Sequence, residues 1–258
     1  MWQRSVVSDW LLVDEQNPVA AQAGRGLRVL LADFVPADGL TVVVGGDGFL
    51  LRSVAARKFE GEFLGLNAGN LGFLHNDVSS WEAAAAALMA GDYRVLPFPL
   101  LEAKVSLADG GERTVWAMNE LYLERSTGQA ARLSLTIDDI EVVDSLVCDG
   151  LIVATALGST AYSFSAGGAP AHPLLHLLKI TPICPHRPRL TPFDLPPTAR
   201  VRVRVEVGEY RPVRAVVDGD ALADVCDVSV GLSDRRVRLG YFFDHDFTGH
   251  LLRKIVIP

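Results

Sequence analysis

The hydrophobic and polar positions along residues 26–95 alternate between two patterns. Short apolar runs in "GLRVLLADF" (26–34), "LTVVVGG" (40–46) and "GEFLGLNAG" (61–69) favour strands. "LLRSVAARKF" (50–59) has the spacing of a helix. Strands that alternate with helices predict a parallel sheet with crossover helices, which is an α/β domain.

"SSWEAAAAALMAGDY" (79–93) is the clearest helix in the sequence. Its alanines have high helix propensity, Ser79 and Glu82 fit a capping box, and Gly91 supplies a stop at its C-terminal end. This helix closes the first pattern.

From about Pro97 the hydrophobic period changes to two. In "ARVRVRVEV" (199–207) the four valines point to one face, and the arginines and the glutamate point to the other; the valines are Val201, Val203, Val205 and Val207. Such alternation belongs to a strand with one wet face. Turn residues recur in "ADGGE", "DD" and "DGD", as hairpins require. We therefore expect an α/β domain over residues 1–96 and a mainly antiparallel β-sandwich over 97–239.

Composition and charge narrow the class of protein. Of 258 residues, 49% are hydrophobic and 21% charged, which is enough to bury a core, and the net charge of −7 argues against binding to nucleic acid or to an anionic membrane. The N-terminus lacks the features of a signal peptide. Three widely separated cysteines argue against a disulfide framework and against a zinc site, and the histidines show no ligand spacing. A cytoplasmic protein without a metal site of its own is expected.

Candidate chemistry begins at the glycine-rich end of the strand 40–46. Gly45, Gly46 and Gly48 expose backbone N–H groups, and a following helix would point its N-terminus at the same place. Asp47 puts a negative charge there, which suits a carboxylate that accepts a proton from a hydroxyl, or one that holds a magnesium ion bridging phosphates. A tight turn with Asp47 as a helix cap is the structural alternative. The stretch matches neither a Walker loop nor a dinucleotide fingerprint.

Three more stretches could bind a ligand. "GLNAGNLGFL" (65–74) repeats the glycine-rich turn at the next strand end, although ordinary turn chemistry also explains it. Asn119 and Glu120 stand in an apolar strand, where they need a ligand or a neighbouring loop as partner. "CDGLIVATALGSTAYSFSAGG" (148–168) is small and hydroxylated around Tyr162, which could stack on a base; a purely structural loop is the alternative.

The ordered set "GGDG", "GLNAGNLGFL", "NE", "DGLI…GSTAYSFSAGG", "TPICPH" and "VDGD" resembles the NAD kinase family over about residues 41–220. The resemblance implies ATP-dependent phosphorylation of the adenosine ribose 2′-hydroxyl of NAD, with Mg²⁺, in a homodimer or homotetramer. It also implies that residues 240–258 return to the first domain. It assigns Asp47 as the catalytic residue. The residues that it assigns to the phosphate loop for ATP are Gly45, Gly46, Gly48 and Arg52. The residues that it assigns to NAD binding are Gly48, Phe73, Asn119, Glu120, Asp149, Ser159, Thr160, Ala161, Tyr162 and Ser165.

The sequence departs from the family pattern at Phe49, Ala156 and Leu157. These departures leave a second hypothesis open, a catalytically weak dinucleotide-binding sensor on the same scaffold. A third is a related lipid or sugar kinase, because "GGDG" also marks those enzymes.

Overall fold

The computed structural model describes residues 10–37, 39–69 and 72–256, with Lys254 described in its backbone alone. The first nine residues, for which the sequence predicted no signal peptide, lie outside these ranges. Asn70 of the second glycine-rich turn lies outside them as well. The described chain forms two compact units: the residues up to Phe98 with Val237–Asp246, and Pro99–Arg236 with the residues from Phe247 onward. The boundaries derived from the sequence, 1–96 with 240–258 and 97–239, stay a prediction.

The first unit has the parallel sheet that the sequence predicted. Its elements, in chain order, are β1 (Leu11–Val13), α1 (Pro18–Leu30), β2 (Leu40–Gly45), α2 (Asp47–Ala56), β3 (Glu62–Asn67), α3 (Trp81–Ala90), the start of β4 (Tyr93–Leu107) and the end of β15 (Val225–Phe242). Strand β2 pairs in parallel with β1 and with β3, and β3 pairs in parallel with Arg238–Gly240 of β15.

Strand β2 is buried at all six positions, as expected for a strand of a parallel sheet that is covered on both faces. Its inward valines pack with apolar residues of α1 and α3 in one core cluster, among them Leu27, Ala84 and Leu88. Because β2 and β3 are parallel neighbours, the turns that follow them leave the sheet at the same edge.

The strand expected in "GLRVLLADF" is wrong. Residues 26–30 are the last turns of α1, which begins at Pro18 with Asn17 as its N-cap. The Asn17 side chain accepts hydrogen bonds from the N–H groups of Val19 and Ala20. The apolar run was short, so its period could not separate a strand from the buried side of a helix.

The helix expected at 79–93 is confirmed as α3, with one correction at its start. Ser80, not Ser79, is the N-cap, and its side chain accepts from the N–H of Ala83. Gly91 ends the helix in the left-handed conformation with φ of 69°, as predicted.

The second unit is a sandwich of two mainly antiparallel sheets. Its remaining elements, in chain order, are β5 (Glu112–Ala117), β6 (Glu120–Arg125), β7 (Ala131–Ile137), β8 (Ile140–Cys148), β9 (Gly150–Thr155), a 3₁₀ helix (Leu157–Thr160), α4 (Tyr162–Ser165), β10 (Leu178–Ile183), β11 (Phe193–Leu195), β12 (Arg200–Val205), β13 (Val213–Val217), β14 (Asp220–Leu222) and α5 (Phe247–Val256). One sheet has the order β15-β12-β7-β8, with β5 paired to β4, and the other has the order β11-β10-β9-β6-β13-β14.

One hydrophobic core joins the inner faces of these two sheets. In β12, Val201 and Val203 are buried while Arg202 and Arg204 are exposed, which confirms the predicted alternation. The prediction that Val207 continues this buried face is wrong. The strand ends at Val205, and Val207 is 51% exposed with a positive φ. The fold class predicted from the sequence, an α/β domain plus a mainly antiparallel β-sandwich, is confirmed.

None of the helices in the described ranges combines the length and apolar character that a membrane crossing requires.

Candidate functional site

Asp47 opens helix α2 directly after the buried strand β2. Gly46 is the N-cap and provides no side-chain cap, and Asp47 makes no capping bond of its own to the helix. The carboxylate instead reaches the turn that follows β3. The structural alternative, in which Asp47 serves as a helix cap, is therefore wrong.

Three donors from the described residues contact the Asp47 carboxylate. The N–H of Phe73 donates to Oδ2 at 3.0 Å, and the N–H of Leu74 donates to Oδ1 at 3.1 Å. The Nδ1 atom of His75 lies 2.9 Å from Oδ1. The side chain of Asp47 is 28% exposed, so the fixed carboxylate keeps an open side.

The environment of Asp47 favours its ionised form. Burial by itself disfavours the charge, but the hydrogen bonds from His75 and from the N–H groups of Phe73 and Leu74 outweigh it and hold the pKa of Asp47 below its ordinary value of 3.8. At neutral pH the group is a carboxylate with fixed oxygens, able to accept a hydrogen bond from a hydroxyl.

Glycines precede and follow Asp47 in the chain. A side chain at Gly46 would meet no atom within 4 Å, so the start of α2 is open. Gly48 and Arg52 are exposed on the first turns of the helix, while Phe49 turns back and packs over Gly45. Phe49, which departs from the family pattern, thus packs against the backbone of Gly45.

Asn119 and Glu120 lie in the second unit, where "WAMNELYL" was expected to be one strand. The structure divides it: β5 ends at Ala117 and β6 begins at Glu120. The carboxylate of Asp218 closes the gap by accepting the N–H groups of Met118, Asn119 and Glu120. Asp218 stands in the tight turn between β13 and β14, with φ of 46°.

Both members of the "NE" pair have a buried polar atom without a hydrogen-bond partner among the described residues. These atoms are Oδ1 of Asn119 and Oε2 of Glu120, in residues only 7% and 8% exposed. Buried polar atoms are nearly always satisfied, and an exception calls for a ligand or a water. The backbone N–H of Tyr162, in a neighbouring segment, donates to the Glu120 carboxylate, so part of the pair is bonded locally. Oδ1 of Asn119 and Oε2 of Glu120 are the atoms left for a ligand or a water.

The pKa values of the buried acids Glu120 and Asp218 are both raised, that of Glu120 more. Burial, then the charge of Asp218, raises the pKa of Glu120 to about 8. Burial raises the pKa of Asp218 to about 6, against the three backbone N–H groups that favour its ionised form. Asp218 is thus the carboxylate and Glu120 the neutral acid, which can donate a hydrogen bond.

The segment 156–168 folds as two short helical turns rather than as a loop. Gly158 makes this possible: a Cβ there would lie 2.2 Å from the carbonyl oxygen of Asn119. Ser159 is fully buried, and its hydroxyl bonds the N–H and the C=O of Ala171. Thr160 is buried, Ala161 is half-buried, and Ser165 is exposed.

Tyr162 is half-buried and meets Tyr122 edge to face, with ring centroids 4.9 Å apart. Burial, followed by nearby acidic groups that include Asp149 and Glu120, raises the pKa of its phenol. Asp149 itself lies between β8 and β9 and accepts a 2.7 Å hydrogen bond from Nε of Arg125. The second unit therefore contains Asn119, Glu120, Asp149 and the 3₁₀ helix. The first unit contains Asp47, Phe73 and the glycines at 45, 46 and 48.

Sequence reasoning missed His75, Asp218 and Arg125. His75 directly follows "GLNAGNLGFL", and Asp218 begins the "DGD" turn, so both stood in or beside quoted motifs. Their roles depend on contacts across 28 positions for His75 and about 100 for Asp218, which no local pattern reveals.

These features define a nucleotide-binding α/β protein: an open parallel sheet with a bare strand end and a carboxylate, and a β-sandwich with buried, unsatisfied polar atoms. The family model described as the ATP-NAD kinase C-terminal domain matches residues 118–231. The NAD kinase of Rhizobium meliloti (strain 1021) is 36% identical over 240 residues, covering 90% of this chain and 91% of that protein. The NAD kinase of Clostridium beijerinckii is 34% identical over 224 residues, covering 84% and 78%. The chain belongs to the NAD kinase family.

Two solved structures share the fold. An NAD kinase from Archaeoglobus fulgidus in complex with ATP has a TM-score of 0.72 at 26% identity and covers 90% of this chain and 93% of its own. Yeast NADH kinase complexed with NADH has a TM-score of 0.73 at 27% identity and covers 84% of this chain. The match spans 64% of the yeast chain, less than two thirds of its length. The comparisons favour neither the sensor nor the lipid or sugar kinase.

Proposed function

We propose that this protein transfers the γ-phosphoryl group of ATP to the 2′-hydroxyl of the adenosine ribose of NAD, giving NADP and ADP. The observation that carries the proposal is the Asp47 carboxylate, which is ionised, partly exposed and held by three donors. A hydroxyl nucleophile needs such a group to orient it and to take its proton.

In the proposed step, the 2′-oxygen forms a bond to the γ-phosphorus while the bond from that phosphorus to the β,γ-bridging oxygen breaks. ADP leaves with the bonding electrons, and the hydroxyl proton passes to Asp47. A low pKa makes Asp47 a weak base in the ground state, but the alcohol becomes acidic as its oxygen bonds to phosphorus. The carboxylate therefore acts mainly by orientation before the transfer and by proton acceptance late in it.

We propose that Gly45, Gly46, Gly48 and Arg52 serve the phosphates of ATP. The N-terminus of α2 has no side-chain cap, and the N–H of Phe49 donates to the carbonyl of Gly46, so the N–H groups of Asp47 and Gly48 are the ones offered to an anion. Such a helix end carries a partial positive charge that suits an anion. The exposed guanidinium of Arg52 adds a full positive charge one turn further on.

The proposed NAD contacts follow from donor and acceptor chemistry. Neutral Glu120 can donate from Oε2 while Oδ1 of Asn119 accepts, a pattern that suits the edge of a base or a pair of ribose hydroxyls. Tyr162 offers an aromatic face for stacking. The further residues that we assign to NAD on the family resemblance are Gly48, Phe73, Asp149, Ser159, Thr160, Ala161 and Ser165.

Magnesium fits this scheme as part of the nucleotide. The described residues contain no cluster of three or more His, Cys, Asp or Glu side chains able to hold a metal ion. Mg²⁺ commonly keeps several waters and binds through the phosphates of its nucleotide with few protein ligands. We therefore propose that it arrives as the ATP complex, where it would neutralise phosphate charge.

The same resemblance supports a homodimer or homotetramer that works in the cytoplasm, with small nucleotides rather than nucleic acid or membrane as its partners. The three cysteines are free thiols, which agrees with a reducing compartment. Light scattering on the purified protein measures the subunit number, and a monomer at working concentration would contradict the oligomer.

The direct test incubates the purified protein with NAD, ATP and magnesium and follows NADP with an NADP-specific dehydrogenase. NADP formation that requires both substrates supports the proposal. Binding of NAD without NADP formation would instead establish the sensor, and phosphorylation of a lipid or sugar with NAD left intact would establish the related kinase.

A further inference from the structure

His75 is a fully buried histidine whose ring has one polar contact with the part of the chain that the structure describes. Its side chain is 0% exposed, and Nδ1 lies 2.9 Å from Oδ1 of Asp47. The other ring nitrogen, Nε2, is buried and has no hydrogen-bond partner among the described residues. A buried nitrogen without a partner lowers stability, so simple core packing does not account for a histidine at this position.

The backbone around the ring is built to admit it. Gly65 of β3 lies under the imidazole, and a Cβ at that position would come within 2.6 Å of Cδ2 of His75. Asn76, the next residue, is held at both ends: its Nδ2 donates to the carbonyls of Gly65 and Gly240, and its Oδ1 accepts the N–H of Phe242. The ring therefore has little freedom to turn away from Asp47.

The tautomer follows from the contacts. Asp47 is an acceptor, so the proton of the ring belongs on Nδ1, and a proton on Nε2 would be buried without an acceptor. Among the described residues, Oδ1 then receives two donors, His75 and the N–H of Leu74, while Oδ2 receives one, the N–H of Phe73. Oδ2 is the oxygen with acceptor capacity left.

We propose that His75 is a positioning residue, which locks the carboxylate of Asp47 so that Oδ2 faces the hydroxyl of the substrate. Without the imidazole, the carboxylate loses the one side-chain donor that the described residues give it, and it can rotate about its last torsion, a soft one for aspartate. The two backbone donors remain, but each oxygen then has one donor, and nothing distinguishes the reactive oxygen. This inference rests on the proposed phosphoryl transfer to a hydroxyl.

The variants His75→Leu and His75→Asn separate position from packing. Leucine keeps apolar bulk and removes the donor, whereas asparagine can place an N–H close to the former Nδ1. We expect His75→Leu to lower kcat by roughly 10- to 100-fold with KM for NAD changed less than about threefold, because a small misplacement of a catalytic group acts on the transition state. His75→Asn should recover most of the lost rate.

Leu27→Ala in α1 is the matched control. Leu27 is fully buried in the same unit and lies on a different element from the residues that contact Asp47, so its truncation disturbs the core alone. It should lower the melting temperature and leave kcat near that of the wild type. Unchanged kcat in a folded His75→Leu protein, or an asparagine variant no better than leucine, would overturn the positioning role.

A spectroscopic measurement on the wild type covers the case in which His75→Leu does not fold. With ¹⁵N-labelled histidine, the resonances of His75 should show a protonated Nδ1 and a bare Nε2, and the Nδ1–H resonance should move in Asp47→Asn. A ring protonated on Nε2 alone contradicts the inference. A wild-type protein that makes no NADP defeats the proposed function, whereas active wild type with an indifferent His75 defeats only this inference.

Discussion

The carboxylate of Asp218 accepts the backbone N–H of Asn119 at 3.0 Å, although 99 positions of sequence separate the two residues. The same side chain also accepts the N–H groups of Met118 and Glu120, so one carboxylate fixes three consecutive residues. The backbone that carries the unsatisfied side-chain atoms of Asn119 and Glu120 is thus held by a turn in another hairpin of the sandwich.

Asp218→Asn should weaken both the fold and NAD binding. An amide has one acceptor oxygen and would turn its own N–H groups toward buried donors, and each donor left unsatisfied costs about 1–3 kcal/mol. We expect a lower free energy of unfolding in urea and a Kd for NAD raised about tenfold or more. Asp224→Asn is the control, since Asp224 is exposed nearby. Equal stability of the two variants would show that the three N–H groups find other partners.

Asp47→Asn should abolish turnover and leave NAD binding largely intact. The amide keeps the size of the side chain but cannot take a proton, and general-base catalysis commonly contributes about 10²- to 10⁴-fold. Turnover is measured as NADP formed, and binding by calorimetry with NAD alone. Asp92→Asn, at an exposed position after α3, should behave as wild type. A near-wild-type rate for Asp47→Asn would remove Asp47 from the mechanism.

Glu120 should make the protein less stable as pH rises. Its pKa is about 8 in the folded protein against an ordinary 4.5, so between these values the folded state binds more protons than the unfolded state. The contribution is therefore fully present below about pH 4.5 and is lost as pH approaches 8. A difference of one in pKa corresponds to about 1.4 kcal/mol.

Urea unfolding from pH 5 to pH 8.5 measures this effect. The free energy of unfolding of the wild type should fall by roughly 1–4 kcal/mol relative to Glu120→Gln over that range, because the glutamine does not titrate. Glu60→Gln, at an exposed carboxylate, should run parallel to the wild type. Parallel curves for the wild type and Glu120→Gln would mean that Glu120 titrates alike in both states.

Gly158→Ala should disturb the segment 156–168, because a Cβ there would overlap the backbone of Asn119. Overpacking of this kind costs about 1–3 kcal/mol. We expect a lower melting temperature and weaker NAD binding, since Asn119 has to move. Gly128→Ala is the matched control, as a Cβ at Gly128 meets nothing within 4 Å. If the two substitutions had the same effect, the close approach would not matter.

The sequence predicted what local chemistry determines. The helix α3 was found from its alanines and from Gly91, and the alternation of valine and arginine in β12 from its period of two. Local chemistry also explains the failures. A short apolar run such as residues 26–30 fits either a strand or a helix face, and two adjacent serines both satisfy a capping pattern.

The roles of the candidate residues were harder to infer than their identities. Asp47 was singled out by its glycines, but its partner His75 comes from the turn after a parallel neighbour strand. The neutral state of Glu120 depends on burial and on Asp218, neither of which has a sequence signature. A pattern can place a carboxylate in a loop, whereas its protonation follows from everything packed around it.

The anchoring of Asn76 also has a consequence for biosynthesis. The turn that donates to Asp47 is held by the carbonyl of Gly240 and the N–H of Phe242, which lie 164 and 166 positions further along the chain. A ribosome has to translate the chain as far as Phe242 before Asp47 can receive its final surroundings. Nascent chains arrested before that point would contain Asp47 but not the contacts of Asn76 that hold its donor turn in place.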